Sequence, residues 1–363
     1  MTVSLETTDN KLTVKAITYE NYSTPLKIKD IDIPVEEGTI IKPNEILVQV
    51  KATSLNPVDC ILKQFSNNYF GPKDKIIGGD FSGIVVKAGD KTNFKINDKI
   101  YGDILDLKSR GSFSNFIIFD PKKVWVCEKI PIGMSFEQAA SLPCVSNTAF
   151  EGIKKYNGSL NGKNVLVLGA GTSVGCFGVQ FAKHYFNALN VVATCSETST
   201  KKTLNAGADL IIDYTKGEKY KIDKLLNFVK LNGKFDLILD CVRDESVIDH
   251  FDQILNSYNE NGVFAQVSGS YVLDYKNIHY YNLLPSWKSI ITTLKFKLGL
   301  TKYSFIPVWT CQDDEYGTAI AKLWSEKKLN IFIDSEYDAY IDFEDAFERV
   351  ASCKAHGKVV LKF

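Results

Sequence analysis

The apolar run Val165-Leu166-Val167-Leu168 passes directly into Gly169-Ala170-Gly171-Thr172-Ser173-Val174-Gly175 and then into Val179-Gln180-Phe181-Ala182-Lys183. This pattern predicts a strand buried on both faces, a tight turn and a helix that begins inside the glycine segment. Glycines let the main chain approach a pyrophosphate closely, and the free amides of a helix N-terminus supply donors and partial positive charge to hold it. A dinucleotide cradle over Gly169, Ala170, Gly171, Thr172, Ser173, Val174 and Gly175 is therefore expected. The third glycine stands one residue later than in the strict fingerprint. A P-loop is excluded, because no Gly-Lys-Ser/Thr closes the turn, and Gly162-Lys163 precedes the strand and is followed by Asn164.

Downstream, residues 190–194 read as a second strand, 199–205 as a helix, 207–214 as a third strand, and 235–240 and 262–267 as a fourth and fifth. Strands alternating with helices argue for a doubly wound parallel sheet covered on both faces, a Rossmann-type domain.

At 363 residues the chain is too long for one comfortable core, so two domains are expected. The first 130 residues differ in texture. Short segments at 45–50, 83–86, 99–101 and 115–118 are punctuated by Gly, Pro and Asn-Asp turns, which predicts a compact β-rich domain. Residues 343–353 read as a helix and 358–361 as a strand whose natural place is back on that domain. The boundaries expected are 1–132 with 310–363 for the β-rich domain and 133–309 for the Rossmann domain.

Equal numbers of basic and acidic residues, 43 each, give neither a nucleic-acid footprint nor an acidic tail. No apolar run approaches the roughly twenty residues of a membrane span, and no basic stretch followed by an apolar core opens the chain, so a cytosolic protein is expected. The eight cysteines include no Cys-x-x-Cys and read as free thiols. His184, His250, His279 and His356 fall in no metal-ligand spacing, and no Gly-x-Ser-x-Gly elbow occurs.

The order of these pieces resembles the medium-chain dehydrogenases/reductases over nearly the whole chain. A β-rich domain leads to Ala139-Ala140-Ser141-Leu142-Pro143 and Thr148-Ala149, then to the glycine turn, Gly207-Ala208-Asp209 and Gly357-Lys358-Val359-Val360. The resemblance implies a GroES-like catalytic domain joined to the Rossmann domain. Leu55-Asn56-Pro57-Val58-Asp59 is similar to the zinc-independent quinone oxidoreductase (zeta-crystallin-like) branch. Gly171-Thr172-Ser173-Val174-Gly175 with Asp274-Tyr275-Lys276-Asn277-Ile278 resembles its fungal Yim-type members. Where zinc-bearing members carry a cysteine, a histidine and a second cysteine, the matching positions here are Asn56, Gly79 and Cys144. Amide and glycine do not replace thiolate and imidazole in a tetrahedral site, so no metal is expected. The structural zinc lobe is not expected either, because no cysteine falls between Val85 and Val126.

The resemblance further implies that Asn56 lies near the nicotinamide and substrate, that Asp59 braces that segment, and that Thr148 lines the nicotinamide pocket. The residues alone also allow plainer roles. Asn56-Pro57 is a common turn, Asp59 is suited to capping the helix that follows, and Thr148 to bonding back to a carbonyl. Cofactor choice turns on the end of the second Rossmann strand, where Cys195-Ser196 with Lys201 and Lys202 a turn later favours NADPH over NADH. Glu197 would reverse that reading if the register were off by two. By resemblance, Tyr214 packs near adenine and phosphate, and Cys241-Val242 pass beneath the nicotinamide-side ribose.

From Tyr271 to Trp309, aromatic residues interleave with Lys288, Lys295, Lys297 and Lys302. Over 287–300, Ile290, Ile291, Leu294 and Leu298 fall at helical spacing. Packing at a domain or homodimer interface is one reading, and a peripheral lipid-droplet, mitochondrial or membrane contact is another. The function expected is hydride transfer from NADPH to a small hydrophobic quinone or conjugated carbonyl without zinc. The alternatives are NADPH-dependent enoyl reduction, with Tyr69 or Tyr101 as proton donor, and a catalytically weak dinucleotide-binding partner protein.

Overall fold

A computed structural model describes residues 7–8, 11–35, 39–66, 73–105, 110–267, 275–276 and 285–363. Residues 1–144, 274–278 and 333–363 form one compact unit, and 145–273 with 279–332 form a second. Elements are numbered along the chain.

The first unit contains β1 (Thr7–Thr8), β2 (Lys11–Tyr19), β3 (Lys27–Pro34), β4 (Ile46–Leu55), α1 (Pro57–Gln64), β5 (Lys75–Ile76), β6 (Asp80–Ala88), β7 (Lys99–Asp103), β8 (Phe116–Phe119), β9 (Val126–Lys129) and α2 (Phe136–Ala140). It also contains β16 (Ile333–Asp338), α10 (Phe343–Ala351) and β17 (Lys358–Lys362). Alternation writes the first sheet: in β2, Leu12, Val14 and Ala16 point inward while Lys11, Thr13 and Lys15 face out. That sheet runs β1-β2-β3 with β5 beside β2. The second runs β16-β17-β4-β6-β7-β9, with β8 also on β4. The final strand β17 lies antiparallel to β4, Val360 opposite Ser54, so the residues around 358 return to the β-rich unit as the sequence indicates.

The second unit contains α3 (Pro143–Lys154, which starts at the boundary), β10 (Asn164–Leu168), α4 (Ser173–Gln180), β11 (Asn190–Cys195), α5 (Thr200–Asn205), β12 (Leu210–Asp213), α6 (Glu218–Asn232), β13 (Leu237–Asp240) and α7 (Phe251–Ile254). β14 (Val263–Val267), α8 (Trp287–Lys297), β15 (Ser304–Val308) and α9 (Tyr316–Ser325) complete it. The six strands are parallel in the order β12-β11-β10-β13-β14-β15. Every residue of β10 is buried, as a central strand covered on both faces requires. The chain leaves β10 toward β11 and later returns on its other side at β13, which creates the topological switch point where such sheets bind ligands.

Several boundaries differ from those the sequence suggests. The third strand spans only Leu210–Asp213: Gly207 takes a positive φ of 107°, and Tyr214 opens a short 3₁₀ turn, so neither end of 207–214 is extended. The sixth strand, β15, is absent from the sequence reading. Pro307 interrupts its pattern, which an edge strand tolerates. α9 lies in the second unit, and α2 in the first, whereas the boundaries at 132 and 310 assigned each to the opposite domain.

Candidate functional site

In the second unit the glycine turn sits at the carboxyl end of β10. Gly169 has φ of 78°, and a Cβ there would come within 2.3 Å of the Val242 side chain. A Cβ on Gly175 would come within 2.3 Å of the Gly169 carbonyl oxygen, so the first turn of α4 packs on the loop backbone itself. Thr172 is the N-cap, its hydroxyl oxygen accepting the Gly175 N–H at 3.0 Å and its proton going to the Gly169 carbonyl at 2.8 Å. The Gly169 N–H donates to Thr194 Oγ1 and the Ala170 N–H to the Thr194 carbonyl, which ties the turn to the end of β11.

Gly169, Ala170, Gly171, Thr172, Ser173, Val174 and Gly175 are thus joined by Val242, which closes over Gly169, and by Cys241, whose N–H donates to the Leu168 carbonyl. Burial, with Asp240 behind it, pushes the Cys241 thiol well above its ordinary range. Ser196 follows β11, its hydroxyl 3.0 Å from that of Thr198, and Tyr214 is exposed beyond β12. Lys201 points outward, whereas Lys202 donates to the Gly171 carbonyl at 2.8 Å, and burial lowers its pKa. Of the two neighbouring lysines, Lys202 is the one built into the turn. Thr148, on α3, has its hydroxyl 3.4 Å from that of Thr310.

In the first unit, Asn56 is 3% exposed and stands in extended conformation at the N-cap of α1, with Pro57 at the first helical position. Its N–H donates to Asp59 Oδ2 at 2.7 Å, the return bond of a capping box at the start of α1. The Asn56 side chain is engaged at both ends. Its Nδ2 donates to Asp80 Oδ2 at 2.8 Å and its Oδ1 accepts from Lys358 Nζ at 2.5 Å. Lys358 Nζ also pairs with Asp80 Oδ2 at 3.1 Å, Ser54 Oγ lies 2.9 Å from the same oxygen, and the Cys144 N–H donates to Asp80 Oδ1 at 2.9 Å.

Two further carboxyls are buried nearby. Asp59 is pushed up to about 7, chiefly by burial, and its Oδ1 has no hydrogen-bond partner among the described residues. Asp103, beside Gly79, is also raised, by burial and by the Asp80 charge. The lysine at 358 and the carboxylate at 80 lie outside the set of functional residues the sequence suggests. The available signal was a lysine opening a strand whose next three residues, Val359, Val360 and Leu361, are apolar and buried. Tyr101, considered above as a proton donor, is fully buried on β7. Tyr69, Asp274, Asn277 and Ile278 lie outside the described residues. Tyr275 packs into the core beneath α10, and Lys276 forms an ion pair with Glu348 on that helix.

The helix expected over 287–300 exists as Trp287–Lys297; its most deeply buried residue is the polar Ser289, while of the apolar stripe only Ile290 is half-buried and Phe296, outside the stripe, packs on the core. Ser289, 3% exposed, is bonded to Gln266 Oε1 and Glu245, while Ile291, Leu294 and Leu298 are 48%, 53% and 70% exposed. The buried Gln266 and Asp240 present polar groups that only a polar residue can meet.

A β-rich unit and a six-stranded dinucleotide-type unit with a glycine cradle at its switch point define a two-domain oxidoreductase architecture. The chain belongs to the medium-chain dehydrogenase/reductase family. Residues 42–128 match the alcohol dehydrogenase GroES-like domain and residues 206–361 the zinc-binding dehydrogenase domain. The chain is 30% identical over 374 residues to Protein YIM1 of Saccharomyces cerevisiae, covering 98% of this chain and 99% of that one. Among solved structures, the fold is similar to the quinone oxidoreductase from Coxiella burnetii (TM-score 0.72, 22% identity, 97% of this chain and 99% of that one). It is also similar to the human synaptic vesicle membrane protein VAT-1 homolog-like protein (TM-score 0.68, 18% identity, 96% and 98%).

The family implies a nicotinamide dinucleotide, and the turn fits one: a Cβ at Gly169 or Gly175 would strike the atoms that shape the cradle. Zinc does not fit. The amide of Asn56 and the main-chain N–H of Cys144 both converge on Asp80, whose charge is already matched by the buried ammonium of Lys358. Burial and the surrounding carboxylates hold the Cys144 thiol well above its ordinary range. Among the described residues no group of three or more His, Cys, Asp or Glu side chains is placed to hold a metal ion, and no helix is long and apolar enough to cross a membrane.

Proposed function

We propose that this protein is a zinc-independent, NADPH-dependent reductase that delivers hydride to a quinone or another conjugated carbonyl acceptor. The observation that carries the reading is the Lys358–Asn56–Asp80 cluster, a buried ammonium bonded to both the amide and the carboxylate, in a chain whose second unit holds a preformed dinucleotide cradle. Bound at that cradle, NADPH supplies the hydride. The turn amides and the α4 N-terminus hold its pyrophosphate. Lys202 and Ser196, with no acidic residue in the last two positions of β11, favour the 2′-phosphate.

Asn56 keeps one amide proton beyond the bond to Asp80, and Lys358 polarises that amide by bonding its oxygen. Such a donor stabilises negative charge that develops on an acceptor carbonyl oxygen. Asn56 is the group placed at the substrate in this reading, and Lys358 is a positioning residue.

Separate titrations with NADPH and NADH, followed by fluorescence, test the cofactor, and a panel of quinones and enones added to the bound form tests turnover. Tighter binding of NADPH, with quinone-dependent oxidation lost in Asn56→Ala, is expected. Equal affinity for both nucleotides overturns the cofactor assignment, and binding without turnover overturns the reductase reading.

A further inference from the structure

Asp103 on β7 stands directly opposite Asp80 on β6 in the antiparallel ladder, so the two carboxyls share one face of the sheet at cross-strand spacing. Both are buried, at 2% and 0% exposure, and the Asp59 carboxyl is buried close by. Among the described residues the ammonium bonded to these carboxyls is that of Lys358, and its ion pair is with Asp80. Like charges directly opposite one another repel, and an interior carboxylate without a counter-ion is costly. One ammonium for the pair therefore leaves Asp103 with its proton. Burial, then the charge of Asp80 and that of Asp59, hold it above the usual carboxylate range against the opposing pull of the Leu105 N–H and Lys358.

The fold needs an oxygen at this position, not an acid. Asp103 Oδ1 accepts the Leu105 N–H at 2.9 Å, a bond that an asparagine would make with no charge to bury. The carboxyl also passes across Gly79, where a Cβ would overlap Oδ1. Asn56, whose amide is placed at the acceptor in the reductase reading, bonds the same Asp80 through Nδ2. The acid at 103 and the amide at 56 are thus both neighbours of one carboxylate.

We propose that Asp103 is the proton donor of the reduction, passing its carboxyl proton to the acceptor oxygen that Asn56 holds; this rests on the reductase reading above. The acceptor takes up hydride with its electron pair, its π pair moves onto the carbonyl oxygen, and the O–H bond of Asp103 breaks as a new O–H bond forms there. The acceptor is reduced by two electrons and NADPH oxidised by two. The carboxylate left at 103 recovers a proton from water.

Steady-state reduction of a quinone and of an enone by NADPH, followed with the full chain across the neutral and alkaline range, tests it. The unmodified protein is expected to slow on the alkaline side as Asp103 loses its proton. Asp103→Asn is expected to lower kcat at neutral pH about 100-fold, within the contribution of a general acid, with KM for NADPH little changed and the alkaline fall gone. The titratable and charged groups around Asp103 are Asp59 on α1, Asp80 on β6, Cys144 at the start of α3 and Lys358 on β17. Asp59→Asn, which removes the other raised carboxyl, is expected to keep the alkaline fall. Asp103→Glu, which restores an acid, is expected to recover part of kcat together with the fall. An Asp103→Asn variant with kcat and pH profile unchanged, an alkaline fall that vanishes in Asp59→Asn instead, or a folded Asp103→Glu variant with a flat profile overturns the donor and leaves the reductase reading standing. An unmodified protein that binds NADPH and reduces no acceptor overturns both.

Discussion

Lys358 Nζ lies 2.5 Å from Asn56 Oδ1, a hydrogen bond between residues 302 positions apart in the chain. Both side chains are buried, and the same ammonium neutralises Asp80. Removing it strands a carboxylate in the interior. Lys358→Met is therefore expected to cost about 3–5 kcal/mol, measured by denaturant unfolding. Adding Asp80→Asn should recover part of that loss. A double variant no more stable than Lys358→Met alone would mean that charge is not what the lysine supplies.

Asp59 links stability to pH. Its ordinary value is 3.8 and its folded value about 7, so the folded protein binds this proton more tightly than the unfolded chain. The resulting stabilisation is complete below pH 4 and is lost as pH rises from about 4 through 7, at a slope of at most about 1.4 kcal/mol per pH unit. Asp103, raised in the same direction, adds to the trend. Asp59→Asn should flatten the fall, as read from unfolding midpoints between pH 4 and 8. An unaltered slope would show that Asp59 is ionised throughout.

The glycine cradle makes a paired prediction. Gly169→Ala places a methyl on Val242 and should abolish NADPH binding, whereas Gly169→Ala with Val242→Ala removes the two closest contacts and leaves a tight 3.2 Å approach to the residue 242 Cβ together with the cost of a positive φ, roughly 1–2 kcal/mol. Partial return of nucleotide affinity in the double variant, read by fluorescence titration, is the expected result.

The two lysines after β11 separate cleanly. Lys202→Met should weaken NADPH binding about tenfold, the loss of one charge-assisted contact. Lys201→Met, on the outward side, should change it little. The reverse ranking would remove Lys202 from the cradle.

On α8 the most deeply buried residue is polar. Ser289→Ala should cost about 1–2 kcal/mol by leaving Gln266 Oε1 unmet, while Leu294→Ser on the exposed side should change stability by less than about 0.5 kcal/mol. Thermal unfolding of the two variants decides it.

The Rossmann half was legible because its signals are local. Continuous apolar strands and a glycine turn announce themselves within a few residues, and β10, α4, β11, β13 and β14 fall near where the pattern indicates. The extent of β12 and the presence of β15 were not, because Gly207 and Pro307 act through main-chain geometry that a hydropathy pattern does not register. The Asn56 site was half legible. The Asn-Pro-x-Asp segment indicates the cap and its bracing carboxylate, but nothing near residue 56 announces that Lys358 arrives beside it. That meeting is created by β17 pairing with β4, a contact of long sequence separation. Helix α8 misleads for a related reason: periodicity identifies its apolar stripe, but the polar ends of β13 and β14 decide which side turns inward.

The place of β17 inside the sheet of the first unit has a consequence for biosynthesis. A ribosome completes β6 at Ala88 and reaches Lys358 only 270 residues later, an interval of some tens of seconds at roughly 5–20 residues per second. Once Val308 has been added the second unit, nearly continuous in sequence, has all its strands, while residues 52–55 of β4 still lack the partner that β17 brings and Asp80 still lacks its counter-ion. The half of the protein that is made first is the half that matures last, and during that interval the nascent chain is most in need of protection by chaperones.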